Sequence, residues 1–239
     1  MVMESTMLRP IGRLETPYQD KFGVPRQPGL APSARGRLVL EADYRREEAL
    51  RGLEEFSHLW LIFLFDGVGE EETGLTVRPP RLGGNEKVGV FATRSPFRPN
   101  RIGMSACRLM RIERETGDSP ALLLSGVDLV NGTAVLDVKP YLPYADCLTE
   151  AQGGLSSEAP ERLPVRVAEA AEEPWAKLTR VEQAVLLETL SLDARPAFHK
   201  NESRVYFLKV FNYEVAWQVK GGECLVRELR KFREECNSD

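Results

Sequence analysis

The chain has 239 residues, is 42% hydrophobic and 28% charged, and carries a formal net charge of −4. That suffices for one large domain, or a medium and a small one, with an ordinary buried core. The longest apolar run, residues 59–65, is too short to span a bilayer, and residues 1–10 lack a basic-then-apolar signal layout. The four cysteines form no C-x-x-C pair and only two histidines are present, so a zinc site has few ligands to draw on. A cytoplasmic protein with free thiols and no metal is expected.

Residues 8–16 read as a short strand entering a turn. A shaped loop follows over 17–32, fixed by Pro17, Pro25, Pro28 and Pro32. Inside it, P-R-Q-P-G-L brackets Gln27 between prolines and ahead of Gly29. A glutamine amide both donates and accepts, so such a loop suits the edge of a purine; an ordinary surface loop is the alternative. Residues 36–41 read as a strand and 44–53 as a short helix. His58 then precedes a fully apolar run, 59–65, expected to be a buried strand. His58 is expected to be packed and hydrogen-bonded rather than catalytic. The sequence F-L-F-D-G-V-G-E at 63–70 resembles the Gly-rich turn of a Rossmann fold, but Glu72 stands where the third glycine belongs, and Pro79 and Pro80 follow too soon for the helix. A strand ending in a turn is favoured, with Asp66 able to face a ligand.

Residues 77–105 stand out. Between Arg78 and Arg108 lie seven basic residues (Arg78, Arg81, Lys87, Arg94, Arg98, Arg101, Arg108) against one acid, Glu86, a local net charge of +6. Four prolines, four glycines and two phenylalanines, Phe91 and Phe97, share the segment. Proline freezes φ and so preorganises the arginines of T-R-S-P-F-R-P-N-R-I-G at 93–103. A rigid cationic surface with aromatics fits a polyanion with stackable bases or a small anionic cofactor. A structural arginine clamp is the competing reading.

Strands are expected at 88–93, 104–112 and 121–129, then a hairpin-type turn at Asn131-Gly132 leading into 135–138. Asp137 and Lys139 fall on one face of that strand, as an ion pair or as groups facing a ligand. The first two-thirds is thus mainly β, in the manner of a closed sheet or barrel. A polar stretch at 152–159 reads as a linker. One amphipathic helix over 175–192, strands at 205–211 and 215–219, and a Gly221-Gly222 hairpin into 224–229 make a small α+β unit. The expected division is a barrel over 1–150 and a C-terminal domain over 160–239.

There is no G-x-S-x-G, no G-x-x-x-x-G-K-[ST] and no H-E-x-x-H. A group transfer that relies on positioning two ligands fits better, and methyl transfer from a sulfonium donor is of that kind.

Co-linear motifs carry a resemblance across nearly the whole chain: P-R-Q-P-G-L at 25–30, G-L-E-E-F-S-H-L-W at 52–60, R-P-P-R-L-G-G-N at 78–85, G-V-F-A-T-R-S-P-F-R-P-N at 89–100, I-G-M-S at 102–105, D-L-V-N-G-T and D-V-K-P-Y over 128–141, and D-A-R-P-A-F at 193–198. Together they resemble the TsaA-like family of tRNA methyltransferase O. The resemblance implies a non-Rossmann β-barrel with a small C-terminal domain, forming a homodimer that binds S-adenosylmethionine near the subunit boundary. It implies N6-methylation of N6-threonylcarbamoyladenosine beside the anticodon of threonine tRNA. The implied cofactor wall is Gln27, Pro28, Gly29, Asp66, Gly67, Arg94, Met104, Leu136, Asp137, Val138 and Lys139. Arg78, Arg81, Arg98 and Arg101 would take the anticodon stem-loop, and Asp137 is the candidate base. A cofactor- or RNA-binding module without catalysis is the other reading. Two departures stand out: Arg101 replaces a proline, and Asn131-Gly132-Thr133-Ala134 replaces D-G-T-P. The first is expected to strengthen phosphate contact; the second loses a carboxylate at 131.

Overall fold

The computed structural model describes residues 7–79, 86–114, 117, 120–195 and 201–232. Arg81, the rest of the R-L-G-G-N run to Asn85, residues 196–198 of the later motif, and His199 lie outside them.

Six strands close into an antiparallel barrel. They are β1 (Gly12–Glu15), β2 (Arg35–Leu40), β3 (His58–Leu64), β6 (Ile102–Glu113), β7 (Ala121–Ser125) and β8 (Thr133–Pro140), in the spatial order β1-β2-β7-β6-β3-β8. Between β3 and β6, β4 (Thr76–Val77) and β5 (Val88–Gly89) form a two-stranded ribbon. Period-two patterning fills the barrel: Leu14, Leu38, Leu59, Leu61, Leu122, Leu124 and Val135 are all fully buried. Each such aliphatic chain stabilises the fold by about 1.5–3 kcal/mol.

The apolar run expected to be buried on both faces is buried on one. Leu59, Leu61 and Phe63 point inward, while Trp60, Ile62 and Leu64 are half-exposed on the outer face. His58 is likewise exposed on that face rather than packed, with its Nδ1 2.9 Å from Ser57 Oγ. The expected strand at 88–93 stops at Gly89, because a 3-10 turn over Val90–Ala92 closes through Thr93 onto the Val90 carbonyl. The one at 121–129 stops at Ser125, where Gly126 turns the chain at φ +73°. The Asn131-Gly132 turn, with Gly132 at φ +82°, is no hairpin. It links β7 to β8, which lies between β1 and β3, and the Asn131 Oδ1 accepts from the Thr16 amide at 3.0 Å. Only α1 (Glu47–Leu50) survives of the helix expected over 44–53.

After a one-turn helix, α2 (Pro143–Asp146), the chain builds a four-stranded sheet in the order β10-β11-β12-β9. These strands are β9 (Val165–Val167), β10 (Tyr206–Val210), β11 (Tyr213–Lys220) and β12 (Glu223–Lys231). The single helix expected over 175–192 is two: α3 (Glu169–Ala176) and α4 (Arg180–Ser191). Thr179 breaks them. Its Oγ1 accepts from the Glu182 amide at 3.2 Å while Glu182 Oε2 accepts from the Thr179 amide at 2.7 Å, a reciprocal N-cap.

The proline-shaped loop joins barrel to sheet. Gln19 N–H donates to the Lys209 carbonyl at 3.2 Å, and Phe211 N–H to the Pro17 carbonyl at 2.6 Å. Tyr18 is fully buried with its hydroxyl 3.3 Å from Thr189 Oγ1, and burial pushes its pKa well up. Ser33 donates from N and Oγ to the Glu188 carboxylate at 2.8 and 2.7 Å. Barrel and sheet thus share one continuous hydrophobic core.

Candidate functional site

Strand register assembles the first half of the site. Met104 of β6, Ile62 of β3 and Asp137 of β8 stand opposite one another in a single row on the barrel's outer face. One step along, Ala106, Trp60 and Lys139 make the next row. The β3–β8 register shifts between Ile62 and Phe63, leaving Leu136 as the extra residue of a bulge. The bulge brings both Asp137 and Lys139 to the outside, where they pair at 3.6 Å. Leu136 and Val138 are half-buried beside them. Trp60 Nε1 donates to Asp146 Oδ2 at 3.0 Å, closing one end of the rows.

The loop carrying Gln27, Pro28 and Gly29 supplies the second half. Arg94 Nη1 donates to Gln27 Oε1 at 2.5 Å. This joins the P-R-Q-P-G-L and T-R-S-P-F-R-P-N motifs, although 67 positions separate the two residues. Gly29 N–H donates to the Gly126 carbonyl at 2.8 Å. Gly126 suits this spot, since its φ of +73° is one that side chains rarely adopt and a Cβ would lie 3.1 Å from the Gly29 Cα.

Beneath both halves lies a carboxylate that sequence reading passed over. Asp128 Oδ1 accepts from Ser105 Oγ at 2.6 Å, and Ser105 directly follows Met104. Burial raises the Asp128 pKa to about 6, with the Ser105 hydrogen bond and the Arg94 charge pulling it back. Its signal was available: Asp128 opens D-L-V-N-G-T at the end of an apolar strand.

Asp66 and Gly67 sit at the turn after β3, held by cations. Arg13 Nη1 lies 3.8 Å from Asp66 Oδ2, Lys21 Nζ donates to the Gly67 carbonyl, and Arg101 Nη1 donates to the Val68 carbonyl at 2.7 Å. The guanidinium of Arg101, expected to reach phosphate, instead clamps this turn. Arg101 also adopts φ +51°, a conformation proline cannot take, so the departure from the family pattern changes the local backbone. Arg98 likewise braces its own loop, donating to the Thr93 carbonyl at 3.2 Å. Arg78 is exposed, and so are Phe91 and Leu75.

The fold and site define a closed antiparallel barrel outside the Rossmann class, with a polar loop set against one sheet face. Residues 13–147 match the tRNA-methyltransferase O N-terminal domain, and residues 160–232 match the TrmO C-terminal domain. The chain belongs to the tRNA-methyltransferase O family. It is 45% identical over 223 residues to the tRNA (adenine(37)-N6)-methyltransferase of Escherichia coli K12, covering 91% of this chain and 94% of that protein. It is 44% identical over 213 residues to a putative S-adenosylmethionine-dependent methyltransferase of Pseudomonas aeruginosa, covering 87% and 90%. A crystal structure of TrmO from the same organism matches with TM-score 0.79 at 34% identity, over 96% of this chain and 99% of that one.

Proposed function

We propose that this chain is an S-adenosylmethionine-dependent tRNA methyltransferase that methylates N6 of N6-threonylcarbamoyladenosine beside the anticodon of threonine tRNA, in the cytoplasm and as a homodimer. Both family domains match, and the Gln27–Arg94 pair carries the reading to the site. The residues fit the cofactor. Among the described residues Gln27 is the only hydrogen-bond partner of the exposed Arg94 guanidinium, so further donors remain for a carboxylate. The close approach of Gly29 to Gly126 leaves backbone near a flat base, and the Met104–Ile62 row offers apolar contact. When bound, S-adenosylmethionine supplies an activated methyl group with a neutral thioether leaving group.

The chain's own residues orient the acceptor and take its proton. Asp137 accepts the N6 proton on the outer face, while Lys139 or a nearby arginine pairs with the carboxylate of the threonylcarbamoyl group. A second copy covers the half-exposed face of Trp60, Ile62 and Met104, which puts the cofactor near the subunit boundary. Asp137→Asn is expected to lower turnover at least tenfold with cofactor affinity kept. Wild-type protein is expected to prefer threonylcarbamoylated over unmodified tRNA. Near-normal turnover by the variant removes Asp137 as base; equal use of both tRNAs removes the carboxylate recognition.

A further inference from the structure

A cleft of about 480 Å³ opens beside the Gln27–Gly29 loop, between the barrel wall and α4. Its wall is one register row. Arg35 of β2 stands opposite Ser125 of β7, Ser125 opposite Arg108 of β6, and Arg108 opposite His58 of β3. Arg180, the first residue of α4, lines it from the C-terminal side. Arg35, Arg108 and Arg180 thus line the cleft from three elements. Among the described residues none of the three has a hydrogen-bonded or ion-paired partner.

The carboxylates of α4 are engaged elsewhere. The two on α4 are Glu182, tied up in the N-cap with Thr179, and Glu188, which holds Ser33. Three like charges around one concavity repel each other and concentrate a positive field there. Such a field suits an anion.

The lining narrows the anion's identity. Ala106 and Met110 flank Arg108 along β6 and add apolar surface to the lining, and Met110 is 45% exposed. Arginines beside apolar side chains suit a phosphodiester with its sugar better than a small inorganic ion. Position narrows it further. Ala106 lies two residues along β6 from Met104, about 7 Å on the same face, and Gly29 lines the cleft as well. The anion would pass within about one nucleotide of the cofactor row.

We propose that this cleft binds the RNA phosphodiester backbone flanking the target adenosine, and that Arg180 brings the C-terminal unit into the RNA interface. The inference rests on the tRNA methyltransferase reading. It replaces Arg98 and Arg101 with Arg35, Arg108 and Arg180 as the phosphate contacts.

Binding of threonine tRNA is measured against salt for wild type, Arg180→Gln, Arg108→Gln/Arg180→Gln and Arg180→Lys, with S-adenosylmethionine affinity, oligomeric state and melting temperature recorded alongside. The salt slope is expected to fall by about one unit for Arg180→Gln and about two for the double variant. Affinity is expected to weaken about tenfold per lost contact, with Arg180→Lys keeping the slope and cofactor affinity unchanged. An unchanged slope in the double variant overturns the proposal, even where wild type still methylates tRNA. Loss of cofactor affinity with an unchanged slope overturns it by giving the cleft to the cofactor. A change in oligomeric state with an unchanged slope overturns it by giving the cleft to a second copy. If wild type neither binds nor methylates tRNA, the functional reading itself falls.

Discussion

Arg94 is exposed, so its removal leaves no cavity in the core. Its hydrogen bond to Gln27 is charge-assisted and ties together two loops far apart in the chain. Arg94→Ala is therefore expected to weaken S-adenosylmethionine binding by roughly tenfold or more, the loss of about 1.5–3 kcal/mol. Calorimetry reads this, and the melting temperature should move little. A large drop in melting temperature with cofactor affinity intact would make Arg94 a structural clamp instead. Asp128 makes a second residue-scale claim. Its folded pKa of about 6 exceeds its ordinary 3.8, so the native state holds that proton more tightly than the unfolded state. The resulting stability is fully present below pH 4 and is lost as pH rises through 6. Arg94, Ser105, Cys107 and Tyr18 are the ionisable or hydrogen-bonding groups that sense this carboxylate. Asp128→Asn should gain on wild type by up to about 3 kcal/mol between pH 4 and pH 7 in denaturant unfolding. A difference that stays flat over that range would show Asp128 to be well solvated.

At the scale of elements, α4 is the clearest test of local sequence logic. Thr179 and Glu182 satisfy two amides at its start, and Leu178 is buried just ahead of them. Thr179→Ala should cost about 1 kcal/mol in thermal or denaturant unfolding, with cofactor binding unchanged. No loss would mean that Glu182 alone holds the helix start. The T-x-x-E pattern was legible, yet the apolar period ran through it and suggested one helix where two exist. Hydrophobic periodicity reports which face is buried, not where the backbone stops. The same limit applied to β3. An unbroken apolar run predicted burial on both faces, but its outer face carries the Met104–Ile62–Asp137 row. Short strands and turn residues made the barrel legible. The bulge at Leu136 and the crossing from β7 to β8 were not, since both depend on which strands become neighbours. In the site, Gln27 and Arg94 were legible from their proline-rich settings. Their mutual contact was not, and neither was the turn clamped by Arg101, because both need the fold to bring distant loops together.

Across the whole molecule, the proline-shaped loop ties the barrel to the C-terminal sheet. Tyr18, Ser33 and the Pro17 carbonyl all reach across. That junction also sets the Gln27–Gly29 loop against Gly126, so the elements that hold the two halves together shape the site wall. The cleft beside it is lined from both halves, and this geometry suits an extended ligand better than a small one alone. Among the described residues no helix is long and apolar enough to cross a membrane. This arrangement is expected to methylate threonylcarbamoylated tRNA. Mass spectrometry of nucleosides from tRNA incubated with and without the protein, in the presence of S-adenosylmethionine, tests it most directly. The expected result is conversion of N6-threonylcarbamoyladenosine to its N6-methyl derivative only when the protein is present. Threonylcarbamoyladenosine left unmethylated by protein that binds both cofactor and tRNA would contradict it.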